Sequence, residues 1–415
     1  MEAAPKRSRR ALAWVLTSNF GEGLPWSVLH QMGTEFLTEA RASSTVIGST
    51  SLFHLAVTLK FLWSPVVDLF GRKRSWLVVT QLVLAAGMVA VGAAVSRSTQ
   101  PWFTPFWIVA SLFAVVHATH DIACDGFYIE ALDQRDQALY SGVRAAPFRA
   151  AMIVGSSGLV LLASRAGWFA AFAAAGGIML VTALANRALL PRPANPAPSF
   201  DAARPGAKAA AFWAAYRTFV AQPRAVLVLS FMFFYKLGDI MMFAMSKPLL
   251  RDIGVNLGQR GLLNGLGTTS FIVGSLVGGA LVARRGLERT LVPMLYTQNL
   301  AIPLYVLMAV VKPAFGGVLA IVLTEQFVAG IGSAAHVMFL IQRTRRAFSA
   351  SHYAFATAIV SLGSTLSGYL SGPLDDPFGH PIFFTLAFVA SWPALALVWF
   401  VPKGPVETAA ESPVH

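Results

Sequence analysis

His117 to Arg149 reads HATHDIACDGFYIEALDQRDQALYSGVRAAPFR, a polar stretch entered from one apolar run and left by another. Its first part carries His117, His120, Asp121 and Asp125, and its last part Arg144 and Arg149. Ionisable groups at membrane depth are costly unless they face a protein interior or a water-filled path. Read as two adjacent membrane helices joined by a turn at Asp133–Gln137, the stretch holds several charges where lipid would penalise them. Function is then expected near it, provided the rest of the chain is a membrane protein.

Composition supports that condition. Of 415 residues, 56% are hydrophobic and 12% charged, whereas soluble domains carry about 25% charge. A soluble chain of this length could not hide so many apolar segments. The net charge of +13 would suit a nucleic-acid partner. The cations, however, fall in short runs between apolar segments, the pattern of membrane topology, so no nucleic acid is expected. The single cysteine, Cys124, excludes an internal disulfide and a cysteine-rich metal site and reads as a small packing residue. Lys6–Arg10 precede an apolar segment with no small-residue cleavage site, so that segment reads as a retained first span.

Twelve helical spans follow from the hydropathy pattern, each able to cross about 30 Å of hydrocarbon at about 1.5 Å per residue. In the first half they cover residues 11–37, 45–66, 75–95, 104–131, 139–163 and 167–190. In the second they cover 225–250, 259–283, 288–311, 315–341, 351–372 and 380–401. The expected organisation is a six-helix bundle over 1–190, a cytoplasmic linker over 191–224 and a second bundle over 225–402. A disordered tail is expected over 403–415. The linker is rich in Pro and Ala and ends in Phe212, Trp213, Tyr216 and Phe219 with Lys208 and Arg217, which suggests an interfacial helix. With the N-terminus inside, inner loops hold 21 Lys and Arg against 7 outside, with Lys60, Arg144, Arg149 and Lys236 in spans. Both termini are therefore expected in the cytoplasm.

Several spans contain polar groups. Span one has Asn19 and Glu22 beside Gly23-Leu24-Pro25, where a mid-span break is expected to free backbone groups. Glu22 reads either as a proton or substrate site or as a structural acid paired with a lysine such as Lys60. Span four places His117, Asp121, Asp125 and Tyr128 along one face, at spacings of four, four and three. By depth, Asp125 should meet Arg144 and Asp121 should meet Arg149. Those pairs either hold the fold, with little net stability, or serve function, an arginine taking an anionic substrate while an aspartate carries a proton. Span seven offers Tyr235, Lys236 and Asp239, span nine Gln298 and Asn299, and span ten Glu325, Gln326 and His336. The serines of span eleven suit close helix packing.

Ser64–Arg74, SPVVDLFGRKR, resembles the G-x-x-x-D-x-x-G-R-K-R loop of the major facilitator superfamily, with Ser64 in place of the first glycine. Asp68, Gly71, Arg72, Lys73 and Arg74 match it. EGLP in span one, KFLWSPVVDLFGRKR after span two, ATHDIACDGFYIEAL in span four and YKLGD in span seven together resemble the AmpG-type muropeptide permeases. These belong to the peptide–acetyl-coenzyme A transporter group of that superfamily. The better-known permeases read ATQDI…DAW where this chain has His120 and Gly126-Phe127-Tyr128.

The resemblance implies an all-α major facilitator fold of twelve helices in two six-helix bundles. It implies a monomeric secondary transporter in the bacterial inner membrane, not an enzyme, that imports muropeptide-like sugar–peptides with protons and needs no cofactor. Arg144, Arg149, Lys236, Asn19, Tyr128 and Gln298 are the expected substrate contacts. Glu22, Asp121, Asp125 and Asp239 are the expected proton carriers, and Asp68 with Gly71–Arg74 the gating loop. No nucleotide-binding loop is present, which argues against ATP drive. Alternatives are an importer of another amphipathic anion, such as a siderophore or acyl-coenzyme A, a membrane-embedded enzyme with a metal at His117, His120 and Asp121, or a signalling protein of transporter descent.

Overall fold

The structure is a computed structural model that describes residues 6–69, 71–97, 104–132, 140, 144–192, 217–343 and 349–404. The expected turn at Asp133–Gln137, most of the 191–224 linker and nearly all of the 403–415 tail lie outside the described residues. Among the described residues every regular element is helical. Hydrocarbon requires this, because a helix satisfies its backbone groups within itself. Among the described residues eight helices are long and apolar enough to cross a membrane, and two of these, Ala145–Leu189 and Phe355–Leu397, are each two spans joined by a tight turn. Gly167 (φ +83°) and Gly379 (φ +70°) make those turns, in a backbone region that only glycine enters freely. The first two spans, each broken by irregular turns, complete the twelve.

Two compact units emerge: Met1–Asp201 with Gly254–Gly265, and Ala202–Ile253 with Leu266–His415. In the first, span one runs as an α-helix over Lys6–Ser27, a π-turn over Val28–Met32 and an α-helix over Gly33–Glu39. The expected break at Gly23–Pro25 is not there, since Pro25 lies inside the helix. Proline removes a ladder donor and crowds the turn before it, and the wide turn three residues later absorbs the irregularity. Gly23 has a different use. A Cβ there would stand 2.6 Å from the Phe148 carbonyl oxygen, so span five passes directly against it. Span five has its own π-turn, Val154–Gly158, which contacts that of span one.

Span two is not the continuous helix expected over 45–66. It is α over Ser44–Ser49, 3₁₀ over Thr50–Phe53, α over His54–Leu59, 3₁₀ over Lys60–Leu62 and α over Ser64–Leu69. Hydroxyls of Ser49, Thr50 and Thr58 donate to the carbonyls of Thr45, Ile47 and His54 at 2.8–3.1 Å, a local competition that bends helices. Spans three (Lys73–Arg97), four (Thr104–Ala131) and six are regular. A core of Trp14, Leu77, Ala123, Phe127 and Leu190 closes one end of this unit.

In the second unit, span seven breaks at Tyr235–Lys236, between Ala225–Phe234 and Leu237–Asp252. Span nine breaks between Leu287–Leu300 and Pro303–Val311. Phe231, Tyr235, Leu295 and Phe339 anchor the core. Spans eight (Leu257–Arg285) and ten (Phe315–Gln342) touch backbone to backbone at Gly278, where a Cβ would lie 2.8 Å from the Ile331 carbonyl.

Candidate functional site

The polar stripe of span four gathers partners from three neighbouring helices. Asp121 forms an ion pair with Lys60 of span two. Asp125 pairs with Arg144 at 2.5 Å. Arg144 also donates through Nε to Asn19 Oδ1 of span one at 3.0 Å, and its guanidinium lies 4.4 Å over the Tyr128 ring. His117 Nε2 lies 3.2 Å from the Glu22 carbonyl oxygen. The Glu22 side chain is close enough to Asp121, Asp125 and Arg144 to interact with each, yet its buried Oε2 has no hydrogen-bond partner. Arg144 thus uses carboxylate, amide and aromatic face at once, which the planar fork of arginine allows and a lysine ammonium would not.

Two expectations meet different fates here. The Asp125–Arg144 pair forms. Asp121 and Arg149 do not pair, because the irregular turn at Lys60–Leu62 turns Lys60 onto Asp121. Arg149 instead places Nη1 3.7 Å from Met152 Sδ. Nor does Glu22 take Lys60 as its close partner.

The second unit has a similar group. Lys236, at the break of span seven, reaches Asp239 Oδ2 at 3.0 Å and Ser333 Oγ at 2.8 Å. Tyr235 donates to the Gly332 carbonyl at 2.9 Å and stacks on His336 with ring centroids 4.1 Å apart. Glu325 accepts from Gln326 at 2.8 Å. Gln298 is buried with both amide atoms unpartnered, as is Asn299 Oδ1. Buried amides without partners are rare in proteins, and such groups suit contact with a polar ligand or water.

Of the loop after span two, Gly71 takes a left-handed turn (φ +83°). Arg74 donates to the carbonyls of Arg187 at 2.5 Å and Leu190 at 3.4 Å, and Arg10 to those of Ala188 and Leu189 at 3.0–3.1 Å. The cations therefore cap the open C-terminus of span six. Lys73 lies 4.0 Å from Glu130. The Asp68 side chain is outside the described residues. Among the described residues no group of three or more His, Cys, Asp and Glu is placed to hold a metal ion, and His117 and His120 are not gathered with Asp121 as ligands.

Sequence reasoning missed one cluster entirely. Arg260 is 1% exposed and donates to Glu35 Oε2 at 3.0 Å, to Glu39 Oε2 at 2.5 Å and to the Val255 carbonyl at 2.8 Å. Asn264 donates to Glu35 Oε1 at 2.9 Å. Arg260 is one of the seven cations that the sequence pattern places in outer loops. Glu35 and Glu39, four apart at the end of an apolar span, were the available sign that a cation lay elsewhere.

A chain of twelve apolar helices with buried ion pairs and broken spans has the features of a membrane carrier, and the family profile described as Major Facilitator Superfamily matches residues 12–372. The chain belongs to the Major Facilitator Superfamily. This bears out the fold expected of it, and a transporter rather than an enzyme. It is 29% identical over 397 residues to the "Anhydromuropeptide permease" of Escherichia coli (strain K12), covering 93% of this chain and 78% of that protein. It is 25% identical to a Rickettsia conorii protein carrying the name AmpG 4, over 91% of this chain and 93% of that one. These relatives agree with the AmpG-type resemblance. Among solved structures, a D-xylose-proton symporter matches with TM-score 0.72 at 11% identity, covering 95% of this chain and 98% of its own. The POT family transporter PepTSo matches with TM-score 0.68 at 13% identity, covering 95% and 97%. At those identities the likeness is one of fold.

Proposed function

We propose that this protein is a proton-coupled importer of muropeptide-like sugar–peptides, acting as a monomer in the bacterial inner membrane with both termini in the cytoplasm. The cargo is argued from its likeness to the anhydromuropeptide permease. The coupling is argued from one observation, the Arg144–Asp125 pair with its two helpers. The Asp125 side chain is 46% exposed and that of Arg144 25%, whereas the side chains of Lys236 and Asp239 are each 14% exposed. The Arg144–Asp125 pair is thus the more accessible of the two to an incoming anion. A substrate carboxylate competes with Asp125 for the guanidinium fork, and a proton on Asp125 releases the fork to the substrate. Binding of cargo and proton are linked through one ion pair. Asn19 and Tyr128 hold the fork in place while its partner changes. Arg149, Lys236 and Gln298 supply further contacts to a peptide or sugar. Glu22, Asp121 and Asp239 are the remaining proton carriers, and Asp68 with Gly71–Arg74 form the gating loop.

The test is uptake of labelled anhydromuropeptide into proteoliposomes, with and without an inwardly directed proton gradient. Wild type should accumulate cargo only with the gradient. Arg144→Lys should bind at least about tenfold more weakly, since a hydrogen bond to a charged group is worth about 1.5–3 kcal/mol. Asp125→Asn should bind cargo yet lose stimulation by the gradient. Accumulation of a siderophore or coenzyme A thioester in place of muropeptide would replace the cargo. Gradient-independent accumulation would remove the coupling.

A further inference from the structure

The first unit contains a run of histidines that the ion-pair mechanism leaves unused. His30 lies in the π-turn of span one and His54 in the short helix His54–Leu59 of span two. Their rings stack with centroids 4.2 Å apart and planes 18° apart, and Trp26 packs against both at 5.2 and 6.2 Å. His54 is near enough to His117 to interact with it. His117, 4% exposed, meets the Glu22 carbonyl through Nε2 and leaves Nδ1 unpartnered, and fully buried His120 beside it leaves both ring nitrogens unpartnered.

The depths of these groups form a sequence. His30 follows Glu22 by eight residues and Asp125 follows His117 by eight, so each interval spans roughly 12 Å at 1.5 Å per residue. Spans one and four run in opposite directions, and His117 contacts Glu22. The two intervals therefore add end to end, from His30 through Glu22 and His117 to Asp125. Together they cover roughly 24 Å of about 30 Å of hydrocarbon. A lipid-depth column of titratable groups on three helices is expensive to keep without use. The stacked pair also has a defined capacity. Two neutral imidazoles stack without penalty, whereas two imidazoliums at that separation would repel, so the pair holds one proton at a time.

We propose that His30, His54 and His117 are the entry arm of a proton path leading to Glu22 and Asp121. The proposal rests on the reading of the chain as a proton-coupled transporter. A proton taken up at the His30–His54 pair passes by way of water to His117, and from there to a carboxylate. Each transfer breaks one N–H or O–H bond at the donor and forms one O–H or N–H bond at the acceptor, with no net chemistry. The charged groups facing the path are Glu22 of span one, Lys60 of span two, Asp121 and Asp125 of span four, and Arg144 of span five. Asp121 is paired with Lys60, so a proton arriving there competes with that ion pair.

The experiment compares two modes of transport in proteoliposomes holding wild type, His54→Gln or His54→Phe. Counterflow of anhydromuropeptide between loaded vesicles needs no net proton movement, whereas gradient-driven uptake does. Both variants should lose gradient-driven uptake and substrate-induced vesicle acidification about a hundredfold or more, on the scale of a positioned proton-transfer group. Counterflow should stay within about twofold of wild type, because no binding contact is removed. Gradient-driven uptake at the wild-type rate would overturn the path. Loss of counterflow together with drive, in a folded variant, would also overturn it, by making His54 a binding or packing residue. If wild type itself shows counterflow but no drive, the coupled-transport reading fails and the path with it. Should His54 variants fail to fold, His30→Gln on span one carries the same comparison.

Discussion

Arg260 shows how much one side chain can depend on a partner far along the chain. Its guanidinium is buried between Glu35, Glu39 and the Val255 carbonyl, and Glu35 is fully buried. Breaking a buried pair leaves an uncompensated charge, which costs about 3–5 kcal/mol, while replacing both partners with apolar groups is often neutral. Arg260→Met should therefore lower the thermal midpoint of the purified protein by several degrees, and Arg260→Met with Glu35→Leu should recover most of that loss. A double variant no more stable than the single would assign the cluster no pairing role. At this scale the sequence locates the ionisable residues of the spans but not their partners. Asp125 and Arg144 could be matched by depth because they sit on consecutive spans. Lys60 and Asp121 are 61 positions apart and Glu35 and Arg260 are 225 apart, and no local pattern joins them. The stacking of His30 on His54 was equally illegible, since it depends on a π-turn in one helix and a 3₁₀ turn in the other.

Hydropathy located the helices because each must fill the same thickness of lipid, and the regular spans three, four and six show how well that works. It does not report how a helix is interrupted. Span two looked continuous because its apolar residues are, while its Ser and Thr hydroxyls bend the backbone. Gly-Leu-Pro in span one marked an irregularity, but the helix carries it three residues onward. Gly23 itself answers to packing, since a methyl group would meet the Phe148 carbonyl at 2.6 Å and the Phe148 Cα at 3.0 Å. Backbone atoms cannot step aside as a flexible side chain can. Gly23→Ala should therefore cost about 1–3 kcal/mol through overpacking, read as a lower melting temperature in detergent. Gly167→Ala tests a different cost, because nothing lies within 4 Å and only the positive φ is strained. Equal stability of Gly23→Ala and wild type would mean that spans one and five separate more easily than their contact implies.

At the level of the whole molecule, the all-helical transporter fold was legible from apolar lengths. One feature was not. The contacts of Gly254–Gly265 place the start of span eight with the first unit, although the rest of that helix belongs to the second. Arg260 and Asn264 lie in that stretch, and their partners are in span one and at Ser156. The proposed orientation rests on a different argument, the bias of Lys and Arg in the sequence, with 21 in the loops expected inside and 7 in those expected outside. Such a bias favours one insertion because cationic loops resist translocation. It can be tested with one reagent, since the single native cysteine, Cys124, is 2% exposed. Arg165 and Arg192 are both exposed and lie at opposite ends of span six, Arg165 just before the turn at Gly167 and Arg192 just beyond the C-terminus of that span. A membrane-impermeant maleimide should label Arg165→Cys in intact cells and Arg192→Cys only after the inner membrane is permeabilised. The reverse pattern would invert the molecule, place His30 at the cytoplasmic end of its column and turn the proposed entry arm into an exit.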